Sequence, residues 1–283
     1  MMGDMQFATI LALTDCGPGS LPGLRAARDL ARRTKGRMRV GHVIVPRTLA
    51  QGDVKSFLAK HEIPVAESDV VLDVDADLTT GLEHLIDEIK PDLVVLSSHR
   101  RTGLSAFLFS NTPVLLSAWA HAPILSVRSE TEHPKFRKAL VCVDGSNQSQ
   151  GLVDAAAGLL EGKGEIVTLF VVEDSPLVIA GVDVGRFDQG LLGKAAEKAR
   201  AFLKGLRLAR PGLTMSIDQR TGDAVHLILD AEKEHKPDVI VVGTAGIGGK
   251  AKFVLGKVSS GVIRAARGAV LTIPTRDQGE AAS

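Results

Sequence analysis

Two stretches of this chain return later in the same order. "KPDLVVLSSHR" (Lys90 to Arg100) reappears as "KPDVIVVGTAG" (Lys236 to Gly246), 146 residues on, and "APILSVR" reappears as "GAVLTIP" at that same spacing. Further towards the N-terminus, "ATILALTDCGPGS" (Ala8 to Ser20) matches "KALVCVDGSNQS" (Lys138 to Ser149), with Asp15 and Asp144 in register 129 residues apart. Two copies of one unit, the second longer by 17 residues between its second and third strands, constrain the fold more tightly than composition can. Whatever architecture one copy adopts, the other must share.

The units read as β-α alternations. In the second copy "ALVCVD", "EIVTLFVV", "TMSIDQR", "DVIVVG" and "AVLTIP" are mostly continuous apolar, β-branched runs, as expected of parallel strands covered on both faces. Helical spacing falls between them, with Leu152, Ala155, Ala156, Leu159 and Leu160 behind Asp144, and Leu191, Ala195, Ala199, Phe202 and Leu206 further on. "VGHVIV", "DVVLDV", "DLVVLS" and "PILSV" repeat the scheme in the first copy. The expected fold is therefore α/β, two tandem doubly wound domains spanning 1–130 and 136–276, each a parallel sheet with helices on both sides. "RSETEHPKFRK" is a polar linker between them, and "TRDQGEAAS" reads as a frayed tail.

Charge and composition remove several function classes. Lys plus Arg number 34 against 33 Asp plus Glu, so no general excess of charge draws nucleic acid or anionic lipid. Tyrosine is absent and Trp119 is the one tryptophan, which leaves little for base stacking. The N-terminal stretch "MMGDMQFATILALTDCG" is neither a signal peptide nor a membrane span, and two cysteines without CxxC spacing fit a reducing compartment and no zinc site. The expected location is the cytoplasm, with no metal centre.

Chemistry concentrates in "GTAGIGGKAKFVLGKVSS" (Gly243 to Ser260), which follows an apolar strand and closes on a helix whose inner face is marked by Val258, Val262 and Ala266. Ligands in open parallel sheets settle at the carboxyl ends of the strands, and a glycine loop running into a helix N-terminus offers amides to phosphate. Two common phosphate motifs do not fit. A Walker loop ending at Lys250 or Lys257 would need glycine where Thr244 or Ala251 stands, and the dinucleotide fingerprint belongs behind the first strand rather than the fourth. What fits is Gly243-x2-Gly246-x9-Gly256 joined to an aspartate in "VCVDGS".

With that pattern the chain resembles the universal stress protein family, in its tandem two-domain form, from about Ala8 to Ile273. The resemblance implies a five-stranded sheet of order 3-2-1-4-5 in each domain and an adenine nucleotide, ATP or else ADP or AMP with magnesium, in the nucleotide-binding members. It also implies roles. Asp144 would hold the adenosine end, and Val171 would offer its backbone to adenine. Gly243, Gly246 and Gly256 would admit ribose and phosphates, and Lys257, Val258 and Ser259 would complete the cradle. Lys257 stands where the family has serine or threonine. In the first copy Ser97, Arg100 and Ser110 replace the three glycines, so one nucleotide site per chain is expected, in the second domain. The resemblance further implies a pseudo-dimer of the two domains joined through "ILSV" and "VLTI", and the same composition allows pairing between chains.

Each feature also has a plainer reading. Gly248 and Gly249 serve turn geometry, Lys250 and Lys252 form a solvated face, and Asp144 on its own would do for a helix cap. Cys142 is a packing residue, Cys16 sits in a turn, and His42 belongs to the core or a strand end. His99, Arg100 and Arg101 make a small basic patch. Three functions compete: a nucleotide-responsive stress regulator acting on a protein partner, an interaction protein whose site has decayed, and a slow ATP hydrolase. The first is expected and enzymatic turnover is not, since no base is evident at the phosphate end.

Overall fold

The structure, a computed structural model, describes residues 7–46, 53–98, 112, 114, 121–146, 148–172, 178–179, 182–183, 197, 201–208, 210–244 and 255–274. In chain order the strands are β1 (Thr9–Leu13), β2 (Arg37–Ile44), β3 (Val70–Val74), β4 (Leu93–Ser98), β5 (Ile124–Arg128), β6 (Lys138–Val143), β7 (Glu165–Val172), β8 (Val178–Ile179), β9 (Val182–Asp183), β10 (Thr214–Thr221), β11 (Val239–Gly243) and β12 (Ala269–Ile273). The helices are α1 (Leu21–Thr34), α2 (Val54–Lys60), α3 (Leu78–Ile89), α4 (Ser149–Leu159), α5 (Ala224–His235) and α6 (Lys257–Ala265). Among the described residues no helix is long and apolar enough to cross a membrane.

Ten strands form one sheet in the order β10-β7-β6-β11-β12-β5-β4-β1-β2-β3. Each half has the order third, second, first, fourth, fifth, and every ladder within a half is parallel. The halves meet at the two fifth strands. There β12 runs antiparallel to β5, with Leu271 opposite Leu125, so a single sheet passes through both copies. The short β8–β9 hairpin forms its own antiparallel pair inside the stretch by which the second copy is longer, and periodicity did not reveal it.

Alternation along the strands explains why their sequences read as unbroken apolar runs. Ile10 and Ala12 of β1 join one apolar cluster while Leu11 and Leu13 join another, and in β6 Ala139 and Val141 face away from Leu140 in the same manner. One face carries a cluster common to both halves, including Leu24 and Leu30 of α1 with Val153 and Leu159 of α4. The other face carries two separate clusters, one under α3 and one under α5 and α6. Both faces are covered, as parallel sheets require.

The repeated "KPD" has a local cause. Lys90 ends α3 and Lys236 ends α5, both in the left-handed region at φ 47° and 49°, and the following proline cannot extend a helix. The aspartate then accepts from the first strand of its own half: Asp92 Oδ2 from Thr9 N at 2.8 Å, and Asp238 Oδ2 from Lys138 N at 2.8 Å. The motif stops a helix and sets the start of the central strand. Two expected helical residues fall just outside. Leu160 is the extended C-cap of α4, still buried, and Ala266 is the C-cap of α6. The helix expected over Leu191 to Leu206 is seen at 197 and over 201–205; Leu206, buried, lies just past its end, and 191–196 and 198–200 lie outside the described residues.

Candidate functional site

In the second half the chain leaves β6 towards β7 and β10, then crosses back to place β11 and β12 on the other side. The crevice between the carboxyl ends of β6 and β11 is thus the point where strand order reverses, and Val141 pairs with Val241 just below it. β6 delivers Asp144 to this edge and β11 delivers Gly243. Asp144 Oδ1 accepts from Ser146 N at 2.9 Å and from Ser149 Oγ at 3.5 Å, closing the turn before α4. Its Oδ2 has no partner among the described residues. Asp144 therefore holds its turn and still offers an acceptor. Val171 lies near the end of β7, partly buried, beside the crevice.

α6 supplies the other wall. α2, α3 and α5 each begin at an aspartate whose carboxylate accepts a first-turn amide, Asp53 from Lys55, Asp77 from Thr80 and Asp223 from His226. α1, α4 and α6 have neither a side-chain cap nor an acidic residue in the first turn, and of these α6, beginning at Gly256, opens beside Gly243. Among the described residues its leading amides have no acceptor, at the positive end of the helix dipole. Ser259 is 4% exposed and its hydroxyl donates to Gly243 O at 2.6 Å, tying the first turn to the end of β11, while Gly256 N donates to Thr244 O at 2.8 Å. The Ser259 side chain is therefore spent on holding the helix, and only its amide is available to a ligand. Val258 packs against the cluster beneath α5 and α6, and Lys257 is exposed. Gly256 itself has φ −61° and ψ 154°, which any residue adopts, so backbone strain does not demand glycine there. Gly246, with Gly248, Gly249, Lys250 and Lys252, lies outside the described residues.

The matching strand end of the first half carries a side chain that is bonded to α1. Ser97 replaces Gly243, and its Oγ accepts from Gly23 N at 2.8 Å and donates to Ser20 O at 3.2 Å. α1 approaches so closely that a Cβ on Gly23 would lie 2.9 Å from Ser97 Oγ and 3.0 Å from Ser97 N. Thr14 and Ser20 add a hydroxyl pair at 2.8 Å at the end of β1. Asp15 is exposed and accepts from Gly17 N at 2.8 Å. Arg100, His99, Arg101 and Ser110 lie outside the described residues.

Against this geometry the comparisons with known proteins are specific. The universal stress protein family model matches residues 135–274, the second half. The second half is a universal stress protein domain. The universal stress protein YxiE of Bacillus subtilis is 29% identical over 141 residues, covering 44% of this chain and 89% of that protein. In fold, the whole tandem has solved counterparts. A functionally unknown protein from Pseudomonas aeruginosa is matched over 95% of this chain and 94% of its own at 18% identity and a TM-score of 0.66. A universal stress protein from Archaeoglobus fulgidus is matched over 96% of this chain and 98% of its own at 16% identity and a TM-score of 0.58.

The remaining candidate residues are placed as follows. His42 is buried, with Nδ1 2.8 Å from Thr14 O, a core histidine. Burial pushes the Cys142 thiol up to about 12. Cys16 sits in its turn at φ 58°, and burial, with the charges of Asp15 and Asp53, pushes its thiol up to about 11, which disfavours the reactive thiolate. Among the described residues, Asp73, Asp75 and His84 gather at the outer edge of the first half, the imidazole Nδ1 3.3 and 3.4 Å from the two carboxylates. Sequence spacing had not brought those three together.

Proposed function

We propose that the second half binds an adenine nucleotide, ATP foremost, and that the chain acts as a nucleotide-responsive stress regulator in the cytoplasm. The observation that carries this reading is the uncapped N-terminus of α6 beside Gly243, facing Asp144 across the strand-order reversal. Phosphates would sit on the amides of Lys257, Val258 and Ser259, with Gly246 and Gly256 giving them room, and magnesium would travel with the nucleotide. Asp144 Oδ2 would accept from the nucleoside end, and the backbone near Val171 would meet the base. The first half, with Ser97 in its crevice, is read as a non-binding domain (1–130) paired with the binding domain (136–276) through β5 and β12. Binding rather than turnover is the role: the first turn of α6 has no carboxylate to activate a water. Whether chains pair further and which protein reads the bound state follow from occupancy only if the nucleotide favours one conformation.

Lys257 at the first helical position favours a second reading, an interaction protein whose site has lost its ligand. Calorimetric titration of the intact chain with ATP, ADP and AMP separates the two. One site per chain supports the proposal; no heat with any of the three, together with no nucleotide released on denaturation, supports the alternative.

A further inference from the structure

α6 is gripped at its far end by a residue of the other half. Arg128, the last residue of β5, is 5% exposed. Its Nη2 donates to Ile263 O at 3.0 Å and Ala266 O at 2.6 Å, its Nε to Gly268 O at 3.2 Å, and its Nη1 to Ser98 Oγ of β4 at 3.0 Å. The carbonyls it takes are those left open where α6 ends and turns into β12. The amides of that same turn go to a second buried residue. Glu232 of α5, 6% exposed, accepts from Arg267 N at 2.7 Å and Gly268 N at 2.8 Å through Oε1. A guanidinium from the first half and a carboxyl from the second thus hold one peptide turn from its two polar sides.

We propose that Arg128 is a positioning residue for the nucleotide cradle, through which the first half sets the placement of α6; this rests on the nucleotide reading above. α6 has nine residues, a rod of roughly 14 Å. Its leading end is tied by Ser259 to Gly243 within the second half, and its trailing end is tied by Arg128 to β4 and β5 of the first. A rigid rod fixed at both ends presents its leading amides in one orientation. Freed at one end, it can tilt about the other. The position matching Arg128 in the second copy is Pro274, which has no donor, so the grip runs from the first half onto the second. It also gives the first half a task in the site it does not contain, because Arg128 stands next to Ser98, the neighbour of the Ser97 that is bonded to α1.

The test compares the wild-type chain with Arg128→Lys, which keeps the charge but cannot span three carbonyls and a hydroxyl, at temperatures where both are folded by circular dichroism. Hydrogen exchange is followed over residues 255–266 without nucleotide, and ATP affinity is measured by calorimetry. The expected result is exchange at least about 10-fold faster at the first hydrogen-bonded amides of α6, those of 260–261, and ATP binding weakened by a factor of about 5 or more. Exchange unchanged at 260–261 overturns the inference, as does faster exchange with undiminished ATP affinity, which would make Arg128 a stabilising residue only. If the wild-type chain binds no adenine nucleotide, the proposed function fails by itself and exchange still decides whether Arg128 places the helix. Should the arginine variant not fold, Ser98→Ala, which removes a single acceptor, carries the same comparison.

Discussion

Gly256 allows the cradle to be tested by a substitution that should improve the fold while spoiling the site. Its φ −61° and ψ 154° are close to the φ −67° and ψ 121° at which Asp223 caps α5, so aspartate can take the position without strain. Gly256→Asp would supply the missing cap, place a negative charge at the positive end of α6 and remove a flexible residue from the unfolded chain. Those effects are worth a few tenths, about 0.3–1, and about 0.4–1 kcal/mol. Allowing for overlap, a net gain of about 1 kcal/mol is expected, or roughly 2–4 °C in Tm. For binding the sign reverses. The carboxylate would occupy the amides meant for phosphate, and a unit charge about 5 Å from a phosphate oxygen at an effective dielectric of about 20 opposes it by roughly 3 kcal/mol, about a 100-fold loss. Scanning calorimetry and ATP titration on the same preparation read both numbers, and Gly256→Asn separates capping from charge. If glycine were there for the turn alone, the aspartate would lower Tm. A lower Tm, or unaltered ATP affinity, refutes the cradle as described.

Two further expectations follow from the same contacts. Ser97→Gly removes the hydroxyl that bridges Gly23 N and Ser20 O; a loss of about 1–3 kcal/mol in urea unfolding is expected, with nucleotide stoichiometry still one per chain because Arg100 and Ser110 still stand where the second copy has glycine. At Asp218, burial raises the carboxyl, but hydrogen bonds from Arg220 and His235, with their charges, outweigh it and leave the carboxyl below its ordinary value. A depressed carboxylate stabilises the fold above its unfolded pKa, so this contribution is present at neutral pH and disappears as pH falls below about 4 through the folded value. Asp218→Asn should accordingly flatten the acid limb of the urea midpoint plotted from pH 6 to pH 3, and an unchanged slope would contradict the assignment.

How much of this could be read from residues alone depended on the range over which each feature is decided. The strands were legible because burial on both faces forces β-branched, apolar runs, and the copies were legible because "KPD" does the same work twice, ending a helix with a left-handed lysine and pinning the central strand with an aspartate. The crevice proposed in the second copy was read from glycines, of which Gly246 lies outside the described residues. The contact of Ser97 with Gly23 in the first copy joins residues 74 apart and had no signature beyond the missing glycine. Here the copies have traded volumes: the first carries glycine on the helix and serine on the strand, while the second carries Leu152 on the helix and Gly243 on the strand at the matching positions. Such an exchange moves volume between helix and strand without altering the strand order, which is the same in both halves. Arg128 was invisible for a related reason. Its partners Ile263, Ala266 and Gly268 are 135 to 140 residues away and present only backbone carbonyls, which have no side-chain signature. The antiparallel pairing of β5 with β12 brings them within reach, and that pairing sets the end of the first copy's last strand against the C-terminal turn of α6 in the second.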